Sequence, residues 1–312
     1  MRLGVLDVGS NTVHLLVVDA HRGAHPTPMH DDRTLLRLAE EIGKDDKLSK
    51  AGEKALVRAV QKAVDQAEKQ GCEDFLALVT SAIRDADNGM EVLERVREQT
   101  GVDLQVLSGE DEARLTFLAV RRWFGWSAGR LAVFDIGGGS LEIAGGADEA
   151  PDVAWSLPLG AARLSRTHFP TGEADPETVR ELRREIRAEI ARDAGHLLRG
   201  GPPDRAAATS KTFRSLARIC GAAPSTGGPL VPRVLALSDL RDWIPKLVGM
   251  GPDELAGLPG VSPSRTHQII PGALVAEGCM DIFDLTELEI CPWALREGVI
   301  LERLDQLSVL GQ

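Results

Sequence analysis

Only 4 of the 312 residues are cysteine. Cys72, Cys220, Cys279 and Cys291 stand apart with no Cys-x-x-Cys pair, which argues against both a zinc site and a disulfide framework and leaves buried free thiols as the expectation. No apolar stretch approaches the roughly 20 residues that cross a bilayer, and the chain opens on a strand rather than on a charged leader and an apolar h-region. The expected compartment is the cytoplasm, with no membrane partner. Basic excess is missing too: a net charge of −11 argues against nucleic acid as a partner, since nucleic-acid-binding domains carry basic faces. Residues 160–220 nevertheless hold 12 Lys and Arg against 8 Asp and Glu, and local potential governs the capture of an anion more than total charge does. No low-complexity tract is present. With 43% apolar and 27% charged residues, the chain has the composition of a soluble globular protein and the length for two cores.

What is present is a repeated turn. Leu131, Val133 and Phe134 lead into Asp135-Ile-Gly-Gly-Gly-Ser140, and a second strand starts at Leu141. Glycines without Cβ atoms let backbone N–H groups approach phosphate oxygens closely, although a Gly-Gly-Gly turn alone is also just a turn. Asp135 and Glu142 suit a hard divalent cation bound to such phosphates. The second copy is Asp7-Val-Gly-Ser-Asn-Thr12, entered from Leu3, Val5 and Leu6 and followed by the apolar run Val13 to Val18. The two copies lie 128 residues apart, the length of a domain, which points to a duplicated α/β fold with a phosphate loop on each half. Two ordinary hairpins are the competing explanation, but a hairpin has no need of an Asp before its Gly.

Taken in order, residues 21–33 are rich in His, Pro and Asp and predict a loop. Ser49 to Gln70 predicts a helix capped by Ser49, with Val57, Val60, Val64 and Ala67 on one face and Gly71 as its stop. A strand at Phe75 to Val79 exits into a segment where Arg84 is either a phosphate ligand or an exposed loop arginine, and Asn88 with Glu91 predicts a capping box. Leu104 to Leu107 predicts a strand, with Ser108 capping the next helix. Glu110, Asp111 and Glu112 crowd that helix's first turn, where the macrodipole alone favours acids. Gly125 to Gly129 marks the link between halves spanning residues 1–127 and 128–312, the last helix having the option of packing back on the first. Trp123, Phe124 and Trp126 cluster in a chain with 4% aromatics, at a subunit contact or a core corner.

In the second half, Val153 to Leu159 alternates like a strand. Asp175 and Pro176 start a long helix striped by Val179, Leu182, Ile186, Ile190 and Leu197. Arg180, Arg183, Arg184 and Arg187 share one side of it, a face for an anion or for solvent. Ala206 to Arg214 predicts strand, turn and helix, with Lys211 and Thr212 at a helix start that welcomes an anion. Ser238 caps a short helix, Pro271 opens another, Leu288 to Cys291 is a short strand and Pro292 starts the final helix.

Asp7-Val-Gly-Ser-Asn-Thr12, Ser81-Ala-Ile-Arg-Asp-Ala-Asp-Asn88, Ser108-Gly-Glu-Asp-Glu-Ala-Arg-Leu115, Asp135-Ile-Gly-Gly-Gly-Ser-Leu-Glu142 and Arg296-Glu-Gly298 together resemble, in kind and order, the motifs of the exopolyphosphatase / guanosine pentaphosphate phosphohydrolase (Ppx/GppA) family. The resemblance runs nearly end to end. It implies two related ribonuclease H-like domains of the actin, sugar kinase and Hsp70 superfamily, with an active-site cleft between them. It implies Glu112 as the base that activates water, and Asp7, Asp135 and Glu142 as carboxylates holding Mg²⁺ (or Mn²⁺) or water. The phosphate ligands it implies are Ser10, Asn11, Thr12, Arg84, Gly137, Gly138, Gly139 and Ser140, to which the helix-start reading adds Lys211. Thr12 replaces a common Ser, Thr209-Ser-Lys-Thr212 replaces a Gly-x-Gly-Thr turn, and the helical C-terminal domains of longer members are absent from this sequence.

The resemblance implies a homodimer and Mg²⁺-dependent removal of terminal orthophosphate from inorganic polyphosphate, with shorter chains preferred. Hydrolysis of guanosine pentaphosphate at its 5′ end is the alternative on the same scaffold. A sugar or metabolite kinase, and a non-catalytic polyphosphate or nucleotide sensor or actin-like assembly protein, are readings from other classes.

Overall fold

The computed structural model describes residues 1–21, 25–43, 45–172 and 174–309, with side chains to 307. They form two compact units, Met1–Leu115 with the last helix, and Thr116–Ala294.

In the first unit β1 (Arg2–Val8), β2 (Thr12–Asp19), β3 (Pro28–Leu35), β4 (Asp74–Val79) and β5 (Gln105–Val106) lie in the order β3-β2-β1-β4-β5. The first three are antiparallel, and β4 runs parallel to β1. Strand periodicity assigns the two faces. Leu6, Val8, Val13, Leu15 and Val17 pack against α1 (Lys50–Lys69), which leads into β4. After β4 come α2 (Ser81–Arg84) and α3 (Gly89–Thr100), and Val92 and Val96 of α3 join the same core. Leu3, Val5, Leu16 and Val18 point to the opposite face. Both faces are covered, hence the nearly unbroken apolar runs of β1 and β2. Asp7 and His14 are partners in the β1–β2 register and continue the row Val5↔Leu16, so they share that second face.

Ser49 caps α1 as expected, accepting from Gly52 N at 3.0 Å, and Gly71 follows with φ +71°. Two expectations fail here. Residues 28–35 are the edge strand β3 rather than loop; residues 22–24 of that stretch lie outside the described residues. An edge strand can be polar along its length, and this one is held by side-chain pairs, Lys62 to Asp32 at 2.7 Å and His14 to Asp31 at 2.8 Å. Asn88 precedes α3 but makes no capping bond; its amide instead accepts from Leu48 N at 2.8 Å and donates to Leu48 O at 3.0 Å. Helix α4 (Gly109–Phe124) does take its cap from Ser108, whose Oγ accepts from Asp111 N at 3.0 Å.

In the second unit β6 (Leu131–Ile136), β7 (Leu141–Gly146), β8 (Val153–Leu157), β9 (Arg205–Thr209), β10 (Val234–Ala236) and β11 (Glu287–Ile290) take the order β10-β11-β9-β6-β7-β8. Read backwards, β8-β7-β6-β9-β11 repeats the first sheet and β10 is an added edge. Between the strands run α5 (Ala161–His168), α6 (Pro176–Asp193), α7 (Gly195–Leu198), α8 (Ser210–Ile219), α9 (Leu237–Val248), α10 (Pro252–Gly257) and α11 (Ile269–Ile282). Helix α11 is buried from Ile269 to Met280, because α5, α6, α8 and α9 all pack on it. Asp175 caps α6, accepting from Glu177 N at 2.9 Å and Thr178 N at 3.0 Å, and the stripe Val179, Leu182, Ile186 and Ile190 is buried; Leu197 falls in α7.

Two of the four arginines on the basic side of α6 are paired within the unit. Arg183 donates to Glu277 at 2.7 Å and Arg187 to Asp281, both acids on α11. Ser238 sits inside α9 instead of capping it, Pro271 falls within the first turn of α11, and the last helix starts at Leu295 rather than Pro292.

That helix, α12 (Leu295–Val309), belongs to the first unit. Val299 and Ile300 join Leu3, Val5, Leu16, Leu78 and Leu115 on the second face of the first sheet. A methyl group at Gly298 would overlap the Leu115 carbonyl oxygen, so α12 meets α4 backbone to backbone. All four cysteines are free; Cys279 and Cys291 are buried as expected, whereas Cys72 and Cys220 are half-buried.

Candidate active site

Both Asp-x-Gly turns are built by the same device. Gly9 N donates to Thr12 O at 3.0 Å and Gly137 N to Ser140 O at 2.9 Å, closing each turn on itself. The carbonyls are then held from behind. Ser10 O accepts from Ala39 N at 3.0 Å, and Asn11 O from Leu36 N and Arg37 N at 3.0 and 2.9 Å. In the other turn, three N–H groups at the start of α5 do this work: Ala161 N donates to Gly137 O at 3.0 Å, and Ala162 N and Arg163 N donate to Gly138 O at 2.9 Å. Orphan donors of a helix N-terminus thus fix a loop of glycines. With carbonyls engaged, the turn offers a ligand its N–H edge, the edge that suits an anion. Gly160, just before α5, packs directly on this backbone, and a methyl group there would overlap Gly139 C and Ser140 N.

In the first unit the structure brings Asp7, Ser10, Asn11 and Thr12 onto one turn, with Ser10 and Asn11 buried. Ser10 Oγ lies 3.2 Å from Ser81 Oγ, which joins the turn to α2. At the other end of that short helix Arg84 Nη1 donates to Glu112 and, at 3.2 Å, to Leu107 O, while its Nε donates to Asp85 at 3.0 Å. Burial works against the Arg84 charge, but Glu112 and Asp85 outweigh it and push its pKa above the usual value. Glu112 itself is buried, on the first turn of α4.

Asp7 has a less expected neighbour. Arg296, from the start of α12, lies 3.6 Å from its Oδ2 and donates to His14 Nδ1. On the other side of the ring Nε2 lies 2.8 Å from Asp31 Oδ1 and 3.3 Å from Arg33 Nε, which donates to it. Burial, followed by the Arg296 charge, pulls the His14 pKa down to about 4, against the opposing pull of Asp31. Burial raises the Asp7 pKa, Arg296 opposes it, and Glu297 adds to it.

In the second unit Asp135, Gly137, Gly138, Gly139, Ser140 and Glu142 lie on the β6–β7 hairpin, and Asp135 and Glu142 face each other in register. Such partners have Cβ atoms roughly 5 Å apart, and two like charges there repel. Ser156, opposite Glu142 on β8, donates to it at 2.9 Å. Among the described residues no group of three or more His, Cys, Asp or Glu gathers as a ligand set. Mg²⁺ bound to phosphate takes only one or two carboxylates with waters, and the Asp135–Glu142 pair fits that requirement. Lys211 stands on the first turn of α8, where its Nζ donates to Gly260 O at 3.0 Å. Ser210 before it holds φ +94°, a strained value for a residue with a Cβ.

Sequence reasoning passed over His14, Ser81, Gly160 and the contact of Arg296 with Asp7. Spacing could have exposed two of them. His14 follows Asp7 by seven positions, as Glu142 follows Asp135, and Thr80-Ser81 at the exit of β4 recurs as Thr209-Ser210 at the exit of β9.

The sequence profile described as the Ppx/GppA phosphatase family matches residues 17–307. A Mycobacterium tuberculosis protein named Exopolyphosphatase 1 is 55% identical over 305 residues, covering 98% of this chain and 89% of its own. Exopolyphosphatase 1 of Mycobacterium leprae is 52% identical, covering 98% and 90%. Among solved structures, an exopolyphosphatase from Cytophaga hutchinsonii gives a TM-score of 0.85 at 22% identity, and the Aquifex aeolicus Ppx/GppA family member 0.81 at 23%, each covering 98% of both chains. At those identities the structures speak to the fold, and the fold agrees: two related α/β units with one strand order.

Proposed function

The chain belongs to the Ppx/GppA phosphatase family, and on that premise we propose that it hydrolyses inorganic polyphosphate from the end, releasing orthophosphate through water activated by Glu112. The observation that carries this reading is the pair of turns whose carbonyls are tied back and whose N–H edges suit phosphate oxygens. The relatives named exopolyphosphatase support the substrate class.

Phosphoryl transfer asks a protein chiefly to position the reactants and to neutralise charge. Each of the turns, Ser10–Thr12 and Gly137–Ser140, offers its N–H edge to phosphate oxygens. Mg²⁺ held by Asp135 and Glu142 would neutralise charge on its oxygens. Glu112 accepts the proton of the attacking water. Arg84 orients the Glu112 carboxylate with one arm, and its guanidinium fork suits a phosphate oxygen as well. Lys211, tied to Gly260 O, adds positive charge at the α8 start.

Guanosine pentaphosphate remains the second substrate reading because its 5′ end presents the same phosphate chemistry. Phosphate release from purified polyphosphate and from guanosine pentaphosphate, assayed side by side, separates the two. Faster release from polyphosphate at equal substrate concentration supports the proposal; release from the nucleotide alone overturns it. Tight binding of polyphosphate without release would identify a sensor.

A further inference from the structure

Ser10 and Ser81 meet hydroxyl to hydroxyl, 3.2 Å apart, and both residues are buried, at 6% and 5% exposure. Among the described residues neither hydroxyl has another partner. A serine hydroxyl carries one hydrogen and two lone pairs, so the two together hold two hydrogens and use one for the bond between them. One hydrogen is left over. We propose that Ser81 is a positioning residue for the first phosphate turn: its hydroxyl donates to Ser10 Oγ, which directs the Ser10 hydroxyl hydrogen to a phosphate oxygen of the substrate. The proposal rests on the functional reading above and adds to it a residue that stands behind the turn instead of on it.

The fold fixes where Ser81 stands. Strand β4 runs parallel to β1 with Val8 and Val79 in register, and Thr80 N donates to Val8 O at 3.2 Å, so the chain leaving β4 passes the turn that leaves β1. At the far end of α2, Arg84 is bonded to Leu107 O and to Glu112. Gly89 meets α2 backbone to backbone, since a methyl group there would overlap the Ile83 carbonyl oxygen. Helix α2 therefore cannot slide without breaking one of these contacts, and the Ser81 hydroxyl is held at Ser10. The turn is held as well, because Ala39 N donates to Ser10 O at 3.0 Å. Of the two directions open to the bond between the hydroxyls, a phosphate oxygen selects one. Such an oxygen only accepts, and Ser10 is carried on the turn whose N–H edge suits it, so Ser10 donates outwards and Ser81 donates to Ser10. The resulting chain of O–H groups runs one way and ends on a charge-assisted bond, each member polarising the next where little water competes.

The test is calorimetric titration of the full chain with bis-methylene triphosphonate, whose CH₂ bridges bar hydrolysis while its terminal oxygens remain. Ser81→Ala and Ser10→Ala should each weaken binding by about 3- to 10-fold, the worth of one hydrogen bond. The double variant should bind no more weakly than Ser10→Ala alone, because the contribution of Ser81 passes through Ser10. Ser81→Thr, which keeps the hydroxyl, should stay within about twofold of the wild type. Thermal unfolding verifies the fold of each variant, and Ser81→Cys, similar in shape but a weak donor, replaces Ser81→Ala should that variant fail to fold. A merely structural part for Ser81 would move the unfolding temperature and leave the affinity alone. Unchanged binding by Ser81→Ala, losses that multiply in the double variant, Ser81→Thr binding no better than Ser81→Ala, or no binding by the wild type would overturn the assignment. Orthophosphate release from polyphosphate is assayed separately: its failure beside the expected binding pattern would count against the functional reading and leave the role of Ser81 in phosphate binding intact.

Discussion

His14 must stay neutral in the folded protein, and its pKa of about 4 lies below the value of about 6.5 for an exposed imidazole. A base with a lowered pKa contributes stability that is present above the unfolded value and is lost as pH falls towards the folded one. The wild-type Tm should therefore drop between pH 6.5 and pH 4, with His14 accounting for roughly 2–3 kcal/mol. His14→Gln should flatten that slope. Thermal unfolding of both proteins across this range tests it, and parallel curves would contradict it. The role of His14 was hidden in the sequence because a histidine in an apolar strand is ordinary, and its partner Arg296 comes from 282 positions away. Arg84 and Glu112 were legible as separate residues of two motifs, but only the fold shows that they share a hydrogen bond.

At the scale of elements, the glycine turn depends on α5 as much as on its own sequence. Gly160→Ala would drive a methyl group into the Gly139–Ser140 backbone, which no side-chain rotation relieves. Overpacking of this kind costs about 1–3 kcal/mol or more. The expected outcome is a lower denaturation midpoint with a marked loss of phosphate affinity; unfolding in urea and competition by inorganic phosphate measure the two effects. A variant with wild-type values for both would show that α5 does not hold the turn. The helices and inner strands were largely legible, since Ser49, Ser108 and Asp175 cap where hydrogen-bond chemistry predicts. The edge strand β3 was not. Its centre, His30-Asp31-Asp32-Arg33-Thr34, has no apolar alternation, and what recruits it is the unpaired edge of β2 together with an ion pair to Lys62 and a hydrogen bond to His14.

Across the whole molecule, one strand order occurs twice, and the duplication was visible in the sequence from two short motifs 128 residues apart. Less visible was the divergence of the two copies, which lies in cross-strand partners and in a helix returned from the far end of the chain. An acidic protein of net charge −11 that takes a polyanion must rely on local donors, and the proposed ones are the two turns, Arg84 and Lys211. The central claim is that those donors serve a hydrolysis in which Glu112 takes the proton from water. Orthophosphate release from polyphosphate by Glu112→Gln, measured beside polyphosphate binding, tests it most directly. General-base help is worth about 10²- to 10⁴-fold, so kcat should fall by that factor with binding little changed. A variant that kept most of its turnover would contradict the account.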